Sequence, residues 1–103
     1  MTHTIRLRGC WETISDRART THSRKFGRPR TLDAGERVWL VCTEVPGVGE
    51  VTVNGELVGR TREAGRFAAD ITGKLRERNV VELTVESAAP IGEVTLEIRP
   101  HLN

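Results

Sequence analysis

The sequence predicts an all-β sandwich, and three observations carry that expectation. Short runs with apolar residues at every second position recur along the 103 residues, the period that turns one side of a strand to a core and the other to water. Turn dipeptides of Gly, Pro, Asn and Asp separate those runs. Third, the stretch from Glu50 to Leu75 holds a hairpin, a polar loop and one helical turn in a single unit, to which the other segments read as added strands.

Ile5, Leu7, Gly9 and Trp11 alternate with Arg6, Arg8, Cys10 and Glu12, which predicts one continuous first strand. Trp11 shares the apolar side with Ile5 and Leu7, so it reads as a core anchor before it reads as a platform for a sugar ring. Ile14 to Thr31 has no sustained period except near Phe26. There Arg24-Lys25-Phe26-Gly27 reads as a short edge strand, with its cations and Pro29 preventing further pairing. Glu36 to Thr43 is apolar on both sides, with Val38, Leu40 and Cys42 against Trp39 and Val41, the pattern of a central strand covered twice. Asp33-Ala34-Gly35 makes the turn into it. The expected cover for the Trp39 side is the segment from Ile14 to Arg30; the alternative is an exposed stacking platform or a dimer contact.

Pro46-Gly47-Val48-Gly49 forms the next turn. Val51 and Val53 then lead into Asn54-Gly55, the pair that best tolerates the two positive φ angles of a type I′ hairpin, and on into Glu56-Leu57-Val58. Arg60 to Arg66 is a polar loop. Asp70 stands where a helix N-cap belongs, able to accept from the amides of Thr72 and Gly73, while Ile71 and Leu75 share one side of the turn. Asn79 to Ser87 and Gly92 to Arg99 alternate cleanly and are joined by five residues, so they are expected to pair as a closing antiparallel hairpin. Glu82, Glu86, Glu93 and Glu97 would form a negative stripe on its outer side.

These residues carry a family resemblance. Val53-Asn54-Gly55-x-x-Val58-Gly59, Gly65-x-Phe67, Asp70-Ile71-Thr72, Leu75 and Asn79-x-x-x-Leu83-x-Val85 resemble the N-terminal sugar-binding domain of glycoside hydrolase family 2. Phe67 to Thr72 is similar to the β-glucuronidase form, with Arg66 in place of the usual Pro. Leu7-Arg8-Gly9-Cys10-Trp11 resembles the opening strand and Arg24-Lys25-Phe26 the second. The resemblance implies a galactose-binding-like jelly roll with one short helical turn. It also implies that catalytic residues belong to a separate barrel domain, so no enzyme activity is expected of residues 1–103. In some β-galactosidases of this family the aspartate equivalent to Asp70 helps line a sugar and sodium site; the glucuronidase-like motif favours a cap.

A chain of this length is read as one domain, 1–103, burying roughly 65% of its unfolded surface: room for one core, not for a core plus a deep pocket. The net charge of +2 sets up no field that demands a polyanion. Its distribution is uneven, with Arg17, Arg19, Arg24, Lys25, Arg28 and Arg30 in a stretch without acids. That segment reads as a solvated edge, or as an anion or nucleic-acid contact, although interleaved aromatics are missing. No long apolar run opens the chain, so neither a signal peptide nor a membrane span is expected and the location reads as cytoplasmic. Cys10 and Cys42 are expected as free thiols, Cys42 as a small buried hydrophobe and Cys10 on a polar side. His3, His22 and His101 read as surface residues, too scattered with the cysteines for a metal cluster. No cofactor is implied, and no nucleophile or phosphate-loop motif is present.

Three roles follow. The first is a non-catalytic carbohydrate-binding module that holds its ligand at the rim of Arg60, Arg62 and Arg66, with Asp70 nearby and Trp39 or Trp11 stacking. The second is a protein interaction or homodimer domain using the apolar face around Trp39. In the third, the basic segment binds nucleic acid.

Overall fold

The computed structural model describes residues 2–29 and 32–100, so Arg30 and His101 of the readings above lie outside it. It is a two-sheet antiparallel sandwich of nine strands: β1 His3–Arg6, β2 Glu12–Asp16, β3 Arg19–Gly27, β4 Glu36–Val45, β5 Gly49–Val53, β6 Glu56–Thr61, β7 Gly65–Asp70, β8 Arg78–Val85 and β9 Val94–Pro100. A 3₁₀ turn, Thr72–Lys74, sits between β7 and β8. One sheet has four strands in the order β1-β9-β4-β7, the other five in the order β2-β3-β8-β5-β6. The alternating residues meet between the sheets: Val38, Leu40, Val51, Val53, Val81, Leu83, Val85, Leu96 and Ile98 are all buried. Each removes apolar surface from water, worth roughly 1.5–3 kcal/mol for a large aliphatic side chain.

Several expectations hold. β4 is central, paired with β7 on one side and β9 on the other. Asn54 and Gly55 adopt φ of 54° and 81°, the two left-handed positions of the tight hairpin. β6 then carries a bulge: Val51 pairs with Gly59 and Thr52 with Leu57, so Val58 has no opposite residue. That extra residue turns Val58 onto the core and leaves Leu57 outside, 45% exposed.

Others are corrected. The first strand is two strands in different sheets, because Gly9 and Cys10 both take positive φ, 64° and 57°, which no strand accommodates. The chain therefore crosses from the four-stranded to the five-stranded sheet between Leu7 and Trp11. Arg24 fixes the crossing, its guanidinium donating to the carbonyls of Gly9 and Arg8 at 2.9 and 3.1 Å. Arg24 to Gly27 is not a separate short strand but the far part of the nine-residue β3: β8 pairs along it, while β2 pairs only as far as Ser23, so this part keeps an open edge on the β2 side, as expected. The pair of β8 and β9 is not a hairpin either: β8 joins β3 and β5, β9 joins β1 and β4, and the connection between them passes from one sheet to the other. Glu82 and Glu97 consequently lie on opposite sheets, and no continuous negative stripe exists.

The two long seams of the sandwich differ. Between β6 and β7 the ring of Phe67 packs directly on Gly59; a Cβ there would stand 2.5 Å from its Cε1. Glycine is what lets the sheets close at this side. Between β1 and β2 the seam stays open, because every residue of β2 is exposed and the four-stranded sheet does not reach beneath it.

Candidate functional site

The overhang of β2 makes a groove of about 590 Å3. Its floor is the inner face of the β2–β3 hairpin, where Thr13 pairs with His22 and Ser15 with Thr20. These positions would be apolar in a fully covered sheet. Here they are hydroxyls and an imidazole, which is why the sequence shows no hydrophobic period over this stretch. The walls come from the two crossings between sheets: Leu7 and Trp11 from one, Pro90, Ile91 and Val94 from the other. Trp11 is half-buried against the core, with its indole N–H donating to the carbonyl of Leu7 at 2.8 Å, so the ring is fixed in place.

His22 is 7% exposed, a buried residue and not the surface one expected. Its Nδ1 lies 3.3 Å from Thr13 Oγ1, and its Nε2 is buried with no hydrogen-bond partner among the described residues. Burial holds the imidazole below its ordinary pKa, because the charged form loses more hydration than the neutral one. Ser15 Oγ and Thr20 Oγ1 stand 3.2 Å apart. At the rim Arg8 faces Glu93, Nη2 to Oε2 3.9 Å, and Arg6 reaches the same carboxylate at 3.5 Å.

The residues singled out from the sequence fall into two separate places. Trp39 and Asp70 are direct cross-strand partners on the outer face of the four-stranded sheet. Asp70 accepts from the Thr72 amide at 2.9 Å and the Thr72 hydroxyl at 2.7 Å, and from Arg37 Nε at 2.9 Å; the N-cap position expected of it is held by Ile71, one residue later, so Asp70 closes a local turn ahead of the 3₁₀ turn and does not reach the Gly73 amide. Burial raises its pKa, but the bonds from Arg37 and Thr72 together outweigh that and leave it below the usual carboxylate range. Trp39 is covered by Arg99, whose guanidinium lies 4.5 Å from the ring centre and is held by Glu97 at 2.7 Å. The segment expected as that cover, Ile14 to Arg30, runs in its described part through β2 and β3 of the other sheet.

Arg60, Arg62 and Arg66 line a wide concavity at the loop between β6 and β7, with Arg60 near Glu50 at 3.7 Å. Arg66 and Asp70 are four residues apart on one extended strand, about 13 Å, so the arginine rim and Trp39 do not converge. Nor do the basic residues of the 17–29 stretch. Arg17 sits at the β2–β3 turn and Arg28 beyond the far end of β3, with the whole strand, roughly 26 Å from Arg19 to Gly27, between them. Arg19 lies by Glu86 at 3.7 Å, and Arg24 is spent on the crossing. Cys10 is exposed and Cys42 buried, both as free thiols, and burial pushes the Cys42 thiol up.

The chain matches the glycosyl hydrolase 2 galactose-binding domain-like family over residues 11–101. It belongs to that family. Among solved structures, this family 2 domain is similar to part of the FMN-binding β-glucuronidase from Faecalibacterium prausnitzii L2-6, with 18% identity, a TM-score of 0.84, and 97% of this chain covered against 23% of that one. For Bacteroides uniformis β-glucuronidase the values are 14%, 0.83, 97% and 18%. For β-D-glucuronidase of Dictyoglomus thermophilum they are 16%, 0.77, 96% and 28%. At these identities the likeness is one of fold, and the family 2 domain spans between 18 and 28% of the length of these enzymes. A comparison with curated proteins gives no match. Among the described residues, no helix is long and apolar enough to cross a membrane.

Thr13, Ser15, Thr20 and His22 did not stand out in the sequence. A faint signal was there: polar residues at every second position, Thr13 with Ser15 and Thr20 with His22, bracketing a two-residue turn.

Proposed function

We propose that this family 2 domain is a non-catalytic carbohydrate-binding module and that the groove over the β2–β3 hairpin receives the sugar. The observation that carries the reading is one concavity combining a fixed aromatic and aliphatic wall, Trp11 with Leu7 and Ile91, and a floor of hydroxyls and an imidazole. Sugars present both apolar C–H faces and hydroxyls, and small-molecule sites of about 300–1,000 Å3 are built from such mostly apolar walls with a few polar groups. Glycoside hydrolysis generally takes two carboxylates. Among the described residues the groove lining offers one carboxylate, Glu93, and Arg8 stands beside it.

Assembly through a second copy has less behind it. Among the described residues no strand pairs with the outer edge of β2, and its Ile14 is 67% exposed. Antiparallel self-pairing centred on Ile14, however, would set Glu12 against Asp16 of the other copy, and like charges across a pair repel. Around Trp39, the charges Arg37, Asp70, Glu97 and Arg99 pair among themselves.

The chain has two tryptophans, so Trp39→Phe leaves Trp11 as the sole reporter. Titration of that variant with soluble oligosaccharides is expected to quench or shift its emission, and Trp11→Ala is expected to abolish retention on a polysaccharide affinity gel. A broad panel without either response would refute the reading.

A further inference from the structure

We infer that Asn54-Gly55 is a latent modification site: the folded domain keeps Asn54 as an amide by holding its side chain, and once that hold opens the residue converts to aspartate or isoaspartate, which the closed fold does not accommodate. The chemistry is intramolecular. Hydroxide takes the proton from the backbone nitrogen of the residue after the asparagine, and that nitrogen attacks the side-chain Cγ. The bond from Cγ to Nδ2 then breaks, Nδ2 takes up a proton from water and leaves as ammonia, and a five-membered succinimide remains. Water opens this ring at either carbonyl, giving aspartate or isoaspartate, so one water is consumed for each ammonia released. Asparagine is thermolabile, and a following glycine hinders the attack least, because no side chain stands beside the nitrogen. The chain has three asparagines, at 54, 79 and 103, and only Asn54 precedes a glycine.

The surroundings of Gly55 leave the attack open. It is exposed, and a Cβ built on it would meet none of the described residues beyond its chain neighbours within 4 Å. What restrains Asn54 is the pairing of its side chain. Its Oδ1 accepts from the Val80 amide at 3.0 Å, and its Nδ2 donates to the Lys74 carbonyl at 2.9 Å and to Asn79 Oδ1 at 3.0 Å. The Arg76 amide, donating to the same Asn79 oxygen at 2.8 Å, fixes that atom as an acceptor. With one partner that donates and two that accept, the carboxamide of Asn54 has a single orientation. Its backbone amide also donates to the Val80 carbonyl at 2.9 Å. Cγ therefore swings to the Gly55 nitrogen only after three side-chain bonds are released. The product fits the same place badly. An aspartate has acceptors only, so one oxygen keeps the Val80 amide while the other stands against the Lys74 carbonyl and Asn79 Oδ1. Isoaspartate adds one carbon to the main chain inside a turn whose two residues hold φ of 54° and 81°. Either product loses the link to Asn79, which is 1% exposed. Conversion is thus one-way, and a molecule that has opened long enough to react closes again less firmly.

The test incubates the intact chain in mildly alkaline buffer, folded and in urea above its unfolding transition, and follows the tryptic peptide from Val38 to Arg60 by mass as OH replaces NH2. Conversion should be about tenfold or more slower in the folded protein, because the reactive arrangement is reached only through opening. Equal rates overturn the protection. Asn79→Ala, kept at a temperature where circular dichroism shows it folded, should convert several-fold faster than the folded wild type. An unchanged rate in that folded variant assigns the protection to the turn backbone and overturns the role of the side-chain hold. Asn54→Asp carries one product from the start and should melt below the wild type at neutral pH. A melting temperature equal to that of the wild type overturns the claim that modification loosens the domain. None of these readouts depends on sugar binding in the groove.

Discussion

The side chain of Asn54 donates to the side-chain oxygen of Asn79 across 3.0 Å, joining the hairpin turn to the first buried residues of β8. Asn79 is 1% exposed. Its amide donates to the carbonyls of Phe26 and Arg76 and its oxygen also accepts from the Arg76 amide at 2.8 Å. Asn54 Nδ2 reaches the Lys74 carbonyl as well, and its oxygen accepts from Val80. Two asparagines thus tie β3, the 3₁₀ turn, the hairpin and β8 together.

Asn79→Ala removes four hydrogen bonds and strands buried partners, for an expected loss of about 3 kcal/mol or more. Asn54→Gly keeps the left-handed turn but deletes the clamp, and a loss of about 1–2 kcal/mol is expected. Urea unfolding measures both. If Asn54→Gly were neutral, the turn geometry alone would be the role of that residue.

Gly59→Ala drives a methyl group into the Phe67 ring. The closed seam must then part or the ring must move, at about 1–3 kcal/mol. Gly59→Ala combined with Phe67→Leu should recover part of the loss, a non-additivity that a double-mutant cycle reads directly.

Stability should fall with acid in two steps. Burial depresses His22 in the fold, while the unfolded chain binds its proton near the ordinary histidine value of 6.5. The unfolded state therefore gains from protonation first, so the stability tied to a neutral His22 is full above about pH 6.5 and declines as pH drops through that value. Asp70 is also depressed in the fold; its contribution is present above about pH 4 and is lost as pH falls through its lowered value. Melting temperature against pH should show both declines, and His22→Gln should remove the upper one alone. A melting temperature that is flat between pH 7 and 5 contradicts the upper step.

Removing Arg99 uncovers Trp39. In a Trp11→Phe background, Arg99→Ala should shift the emission of Trp39 to longer wavelength and cost about 0.5–1 kcal/mol of stability, the scale of an exposed cation–π contact. Sugar binding in the groove should not change. If it does, the outer face of the four-stranded sheet takes part in recognition.

Strand positions were legible because apolar alternation is a local property: Val81, Leu83 and Val85 announce a buried face whatever their neighbours are. Membership of a sheet is not local. Nothing in β8 and β9 says that the residues between them cross the core, since a hairpin and a crossing need the same alternation and a similar loop length. The break at Gly9-Cys10 was hidden for a related reason. Cys10 is no common left-handed residue, and it is the hydrogen bonds from Arg24, fifteen residues later, that support the crossing there. The groove was least legible of all, because its floor is recognised by polar residues facing inward, and from sequence an inward polar row looks like the lack of a strand.

The place of β9 between β1 and β4 has a consequence for how the molecule is made. Synthesis proceeds from the N-terminus, yet β1 has no neighbour in its sheet until the last strand leaves the ribosome. The five-stranded layer can be assembled earlier, once β8 has been translated, and it would then wait with one apolar face bare. Contacts this distant along the chain form slowly and leave sticky intermediates exposed. Shortening the chain before Val94 should therefore yield aggregation during expression, not a smaller soluble domain.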